Sequence, residues 1–425
     1  MTCLAFSSAT CATLAQPMKM RLIPDNCFPM KRPPLWFLLP LLLLTACEGF
    51  FGRRTDTDFL DIPDYSVRPV AYVPIQPTWD GLVEPVDVVA GWDELIYVAD
   101  AGTEEIISFD QAGNELGRFS IPGLTALAQD RRLDLLAAGT RDTVIGNNSF
   151  TLPALYRINL KQPGTYGLEQ AQVTRLLTHP YYFKAGTPTA AEEAVRFTGI
   201  APLADNRYYL ARTGPSDNPN QFGGPDDAVL LFSADDVYIS PVAVNTNLGL
   251  FRDYVRQPAS ISSLAQPPQS PAVNPRGDFF FCSVQEDYLL KVQLIRRVET
   301  PNGASYEVEN YPVGDTSKAD GFLYQPGRFT RPADVTFSGD GTNYIFVVDA
   351  ARDSLYQFNA LGYEGANPPA GSASTKAIKV SFGGTGSGLT QFRNPQGVAY
   401  LNEIVYVADA GNGRVLRFRL TVDFD

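Results

Sequence analysis

The chain has a single histidine, His179, among its 425 residues. Zinc centres and Ser-His-Asp hydrolytic arrangements draw on imidazole, often several, so both classes are disfavoured from the outset. His179 sits in Thr-His-Pro-Tyr-Tyr, a Pro-flanked loop, and reads as a surface residue. Cysteine is also scarce: Cys3, Cys11, Cys27, Cys47 and Cys282. Only two of these follow the export segment described below, so no disulfide framework is expected. Basic residues are in deficit, 34 against 46 acidic, for a net charge of −12. Four basic residues and one acidic residue fall within 1–46, so the chain beyond that point carries −15. Phosphate recognition needs clustered Lys and Arg, which argues against nucleic acid as a partner. The same acidity argues against docking on anionic lipid heads through the protein surface. Long apolar runs are missing too. The one sustained run, Leu35 to Leu44, contains Pro40 and is too short to span a bilayer comfortably.

That run belongs to an export signal. Residues 30–47 read MKRPPLWFLLPLLLLTAC: Lys31 and Arg32 form a positive start, the Leu-rich run follows, and small Thr45 and Ala46 precede Cys47. Leu44-Thr45-Ala46-Cys47 resembles the bacterial lipobox. The resemblance implies cleavage before Cys47 and acylation of that residue. Two or three acyl chains, at roughly 0.8 kcal/mol per buried CH₂, make a stable anchor. Glu48 stands where an Asp is the better-known signal for inner-membrane retention, which favours the outer membrane. Residues 1–46 are therefore expected to be a signal peptide. Residues 1–29 do not fit such a signal, and Met30 is the expected initiator. Residues 47–65 are the expected lipidated Cys and tether.

What is abundant is turn chemistry, with 33 Pro and 35 Gly spread along the chain. Between the turns lie repeats. Residues 84–110 (EPVDVVAGWDELIYVADAGTEEIISFD), 331–359 (RPADVTFSGDGTNYIFVVDAARDSLYQFN) and 394–418 (NPQGVAYLNEIVYVADAGNGRVLRF) share one plan. Each has Pro, an alternating strand, a turn, an apolar strand ending in Asp, a short loop and a third strand. This plan resembles the NHL repeat, most closely at Pro395, Gly397, Asp409, Asn412 and Arg414. Weaker copies pair 124–138 with 154–160 and 197–213 with 228–233, and one covers 261–296. The Asp slot then falls at Asp100, Ala138, Arg212, Ser283, Asp349 and Asp409. Fixed units without long helices predict an all-β, six-bladed β-propeller of four-stranded antiparallel blades over residues 66–425. Outer strands are expected at 115–121, 171–178, 237–244, 305–313 and 376–382. The last unit has no fourth strand of its own. Residues 67–74 are expected to supply it and close the ring, removing the exposed edges.

Function is less legible. Insertions at 139–153, 179–196, 213–227, 245–260 and 314–331 are expected on one face, as at the binding face of a repeat protein. They carry Tyr181, Tyr182, Phe222, Phe251, Tyr254, Phe322 and Tyr324, with Phe183 and Phe329. Together with Arg212 and Arg252 these are the candidate contacts for a protein or glycan partner. Residues 215–227 are rich in oxygen, so Asp217, Asp226 and Asp227 are weak Ca²⁺ candidates without EF-hand spacing. No other metal or cofactor is indicated. The repeated Asp100, Asp349 and Asp409 are expected to hold turns. Cys282 occupies the slot of Ala99 and Ala408 and is expected to be a small, inert core residue. Arg276-Gly277-Asp278 is expected to be a turn, with Gly and Asp there for geometry. The reading is an envelope-anchored, non-enzymatic binding propeller. The alternatives are a Ca²⁺-dependent propeller hydrolase or lactonase and a structural subunit of an outer-membrane assembly.

Overall fold

A computed structural model describes residues 70–178, 190–214, 227–251, 254–267, 277–301, 303–369, 372 and 374–423. Six of their sheets, each built on four antiparallel strands, are the blades of a six-bladed β-propeller. The first three strands of blade 1 are Pro85–Ala90, Ile96–Asp100 and Glu105–Phe109, and its outer strand is Glu115–Ser120. Blades 2 to 6 begin on Ala126–Gln129, Arg196–Pro202, Pro258–Ser263, Pro332–Phe337 and Pro395–Leu401. Among the described residues no helix is long and apolar enough to cross a membrane.

The second strands explain why the repeats were visible. Ile96–Asp100, Phe279–Ser283 and Ile345–Asp349 are buried along their whole length. Such a strand packs both faces, so it reads as a continuous apolar run. Its alternate side chains serve different neighbours. Ile96 and Val98 pack with Ala399, Tyr406 and Ala408 of blade 6, while Tyr97 and Ala99 pack with Leu127, Leu135 and Ala137 of blade 2. Similar clusters join the other neighbouring blades.

The ring closes through its N-terminal strand. Tyr72–Asp80 pairs antiparallel with Arg414–Leu420, the third strand of blade 6. The expected closing strand was 67–74. Trp79 sets the observed position: its indole stacks on Phe109 of blade 1 at 4.8 Å and lies 5.6 Å from Tyr406. At the other end Tyr72 donates to Gln357 of blade 5. One strand thus touches the blades on both sides of the seam.

Other boundaries moved. In blade 2 the strand ladder places Gly139, not Ala138, in the Asp slot, because Ala126 pairs with Ala138 as Asp87 pairs with Ala99. Blade 4 starts at Pro258 rather than at 261, and its first turn is the long connection 264–278. Its sheet has six strands: Val244–Thr246 runs parallel to the outer strand Gly303–Val308, and Gly249–Phe251 lies outside that. The insertion 245–260 therefore contributes to the rim of blade 4 as well as to a face. In blade 5 the expected outer strand 376–382 is reduced to Phe382–Gly383 plus an isolated bridge between Ala366 and Ile378.

Candidate functional site: the central channel

Five of the six first strands carry a register shift near their start: Pro85/Asp87, Phe197/Gly199, Pro258/Ser260, Pro332/Asp334 and Pro395/Gly397. Proline cannot donate to the ladder, so it suits a strand's first position. The bulge then re-aims the residue that follows. At this position the side chain leans towards the next blade. A Cβ added to Gly397 would lie 2.8 Å from the Val88 nitrogen, and one added to Gly199 would lie 2.8 Å from the Ile261 nitrogen. Where the residue is Asp, a carboxylate makes that reach instead. Asp87 accepts the Leu127 N–H of blade 2 at 2.8 Å, and Asp334 accepts the Val398 N–H of blade 6 at 2.7 Å. Asp334 also accepts the Val335 N–H at 2.8 Å and the Ser260 hydroxyl.

Both carboxylates line a central lumen of about 190 Å³ to which all six first strands contribute. Its other titratable lining residue is Tyr400, whose hydroxyl donates to Asp340 at 2.6 Å. No Lys, Arg or His lines it among the described residues. Burial, and then repulsion from Asp334, push Asp87 up to about 8 against the pull of the Leu127 N–H. Burial also raises Asp334, to about 6, opposed by Ser260 and the two backbone donors. Like charges in an enclosed space disfavour double ionisation, so the pair titrates as a unit. Such a pair can hold and release a proton near neutral pH.

A second group of residues borders the lumen at the turns joining first and second strands. Trp92 lines it, with its backbone N–H donating to Gln129 at 2.6 Å. Gln129 in turn donates to Asp93 at 2.8 Å, and Asp93 also accepts the Tyr97 and Tyr166 hydroxyls. The Arg131 guanidinium lies over the Trp92 ring, 4.1 Å from its centroid.

The residues singled out from sequence fare differently. Asp100 accepts the Val83 and Glu84 N–H groups at 2.8 Å each, and Asp349 accepts those of Thr330 and Arg331 at 2.6 and 3.1 Å. Asp409 accepts the Arg393 N–H at 2.7 Å and pairs with Arg414 at 2.8 Å. All three hold turns. Cys282 is buried between blades 4 and 5, and burial pushes its thiol up. Asp278 is buried and accepts the Arg297 N–H at 2.9 Å.

Several candidate contacts are corrected. Arg212 is 0 % exposed, and Phe322 and Tyr324 are buried as well. Tyr324 packs between blades 4 and 5 and accepts the Leu294 N–H at 3.0 Å. Phe322 forms a small cluster with Ala319 and Ala377. Phe329 is buried against Tyr356. Packing of the loops onto the blades consumes these side chains, so they offer no surface. Tyr254 is half-buried and donates to Gln293 at 2.6 Å. Phe251 keeps 39 % exposure on the outermost strand of blade 4. Asp227 accepts the Thr213 hydroxyl at 2.9 Å and the Gly214 and Gln257 N–H groups at 3.1 and 2.8 Å. Cys47, His179, Tyr181, Tyr182, Phe183, Asp217, Phe222, Asp226, Arg252 and Arg276 lie outside the described residues. Among the described residues no three His, Cys, Asp or Glu side chains converge to hold a metal. The channel carboxylates were missed, although a trace of them was present. Pro-Val-Asp-Val at 85–88 and Pro-Ala-Asp-Val at 332–335 carry Asp where Pro-Gln-Gly-Val at 395–398 carries Gly.

Comparison with known proteins agrees with the repeat reading at the C-terminal end. Residues 392–418 match the NHL repeat. No curated protein matches the sequence. Among solved structures the chain is similar to an auxiliary nutrient binding protein from Bacteroides ovatus, at 10% identity and a TM-score of 0.48, covering 83% of this chain and 77% of that one. It is similar to the PQQ-bound aldose sugar dehydrogenase of Streptomyces coelicolor, at 12% identity and a TM-score of 0.48, covering 83% and 98%. It is also similar to a virginiamycin B lyase from Staphylococcus aureus, at 9% identity and a TM-score of 0.40, covering 82% and 99%. Likenesses at this level say nothing about activity.

Proposed function

We propose that this chain is a non-enzymatic binding propeller of the bacterial cell envelope, held through a lipid on Cys47, with the outer membrane favoured. Its partner is a protein or a glycan met by the face that carries the insertions. The observation that supports this reading most directly is the hairpin of blade 2. Its strands, Asp134–Ile145 and Asn148–Asn159, are 12 residues each. The first strand of the blade pairs with residues 135–138 and the outer strand with 154–159. Residues 140–153 therefore run on past the first and outer strands, paired only with each other in the sheet. Val144, near the tip, is 72 % exposed. The short helix Ala190–Glu193 braces the hairpin, Glu193 accepting the Thr151 N–H at 2.9 Å. A braced projection of this kind is ordered before a partner arrives, which lowers the cost of binding.

The test is co-purification of the full chain from its own membranes in mild detergent, followed by protein and sugar analysis of what stays bound. A second chain, with residues 142–151 replaced by an Asn-Gly turn, is purified in parallel. The reading expects a reproducible partner that the shortened chain loses while keeping its melting temperature. A partner retained by the shortened chain, or none on either, overturns it. The Asp87–Asp334 pair favours a second reading, an acid–base enzyme working in the channel. Turnover of an ester or lactone that Asp87→Asn abolishes would establish it.

A further inference from the structure

Among the described residues three guanidinium groups lie over aromatic rings, and two of them have obvious structural duties. Arg417, over Trp79, donates to the carbonyls of Gln111, Ala112 and Pro77. Arg328, over Tyr356, pairs with the buried Glu364. Arg131 differs. Its backbone N–H is fixed by Asn206 at 3.0 Å, yet its guanidinium has no carboxylate or carbonyl acceptor among the described residues. Burial lowers its pKa with nothing to offset the loss. The adjacent Arg132, by contrast, pairs with Asp130 at 3.0 Å. The chain has a net charge of −12, and among the described residues Arg132, Arg157, Arg207, Arg297, Arg328, Arg414 and Arg419 all pair with carboxylates, so a part-buried guanidinium without such a partner stands out.

Its surroundings define what it would take. The Arg131 guanidinium lies over the Trp92 ring, 4.1 Å from its centroid, and the Trp92 backbone is fixed by Gln129, which Asp93 holds in turn, so the position of the N–H donors is set in advance. A planar fork matches a carboxylate, which accepts two parallel hydrogen bonds. Beyond Trp92 the lumen holds Asp87 and Asp334 and, among the described residues, no cation, so an anionic group stops at the mouth and only an uncharged part of a ligand enters. We propose that Arg131 and Trp92 form a binding site for a small organic carboxylate at the mouth of the central channel. This site lies on the side of the strand-one to strand-two turns and is independent of the insertion-bearing face.

The test is isothermal titration of the full chain with sodium glucuronate and sodium benzoate, each against its neutral counterpart, glucose and benzyl alcohol. At least one carboxylate is expected to bind saturably, about tenfold or more tighter than its counterpart. Arg131→Gln is expected to lose about tenfold or more of that affinity at an unchanged melting temperature. Arg131→Lys, which keeps the charge but not the fork, is expected to fall between the two. Equal affinity for acid and neutral compound overturns the proposal, as does unchanged binding by Arg131→Gln. Absence of binding by both carboxylates up to ~10 mM, weaker than any useful affinity, overturns it too. Should Arg131→Gln melt lower, the Arg131→Lys comparison at matched stability decides.

Discussion

Asp87 and Asp334 occupy the same register position in blades 1 and 5, and each carboxylate reaches sideways to a backbone N–H of the following blade, at 2.8 Å to Leu127 and 2.7 Å to Val398. The two face one lumen, and among the described residues no cation lines it. They stitch neighbouring blades together and at the same time repel each other.

This arrangement gives a pH dependence with a definite sign. The folded-state pKa of Asp87 is raised, to about 8 from 3.8. Its contribution to stability is therefore fully present below the unfolded value and is lost as pH rises through the folded one. Thermal melts between pH 4.5 and 9 are expected to fall across this window, by on the order of a few kcal/mol. Asp87→Asn keeps an oxygen for the Leu127 N–H and cannot ionise. It is expected to flatten the fall and to melt higher than the parent at pH 8.5. A variant whose profile parallels the parent would mean that the pair does not titrate in this range.

The closing strand should dominate stability at the seam. Trp79 is buried, stacks on Phe109 and lies under Arg417. Trp79→Ala is expected to cost about 3–5 kcal/mol in urea denaturation. The more exposed Val73, on the same strand, should tolerate Ala at well under half that cost. Deleting 72–80 is expected to lower the melting temperature far more than deleting residues ahead of Tyr72.

Gly397 marks the position where the ring has no room for a side chain. A Cβ there would lie 2.8 Å from the Val88 nitrogen and 2.9 Å from the Asp87 Cα, both backbone atoms. Gly397→Ala is expected to destabilise by about 1–3 kcal/mol, measured by urea unfolding. A neutral result would show that blades 1 and 6 separate easily.

Cys282 should be silent in the native state. It is fully buried, and its thiol is pushed up by burial and by Asp334 and Asp349. Maleimide labelling followed by peptide mapping is expected to modify Cys282 only in denaturant. Rapid labelling without denaturant would mean that blades 4 and 5 open readily.

Much of the fold was legible because propeller blades are local. Asp100, Asp349 and Asp409 accept mainly N–H groups within about twenty residues of themselves, so their turn-holding role could be read from the repeat alone. The second strands announced themselves because each is buried on both faces. The loop aromatics were misread for the complementary reason. Whether Phe322 or Tyr324 points outwards depends on which blade its loop folds against, and the sequence carries no mark of that.

What the sequence by itself determined was the repeating unit, the number of units and the need for an extra strand at the seam. Each follows from local hydrophobic alternation and turn chemistry. Tertiary structure alone decided which residues meet in the middle. Asp87 and Asp334 are 247 positions apart, and they share a lumen only because six first strands converge on it. Within each blade, a bulge after the leading residue chooses which side chain turns towards the next blade. Ring closure is a long-range event, settled by the packing of Trp79 and Tyr72 against blades 1 and 5. The sequence shows that a closing strand is needed, and the packing sets its register.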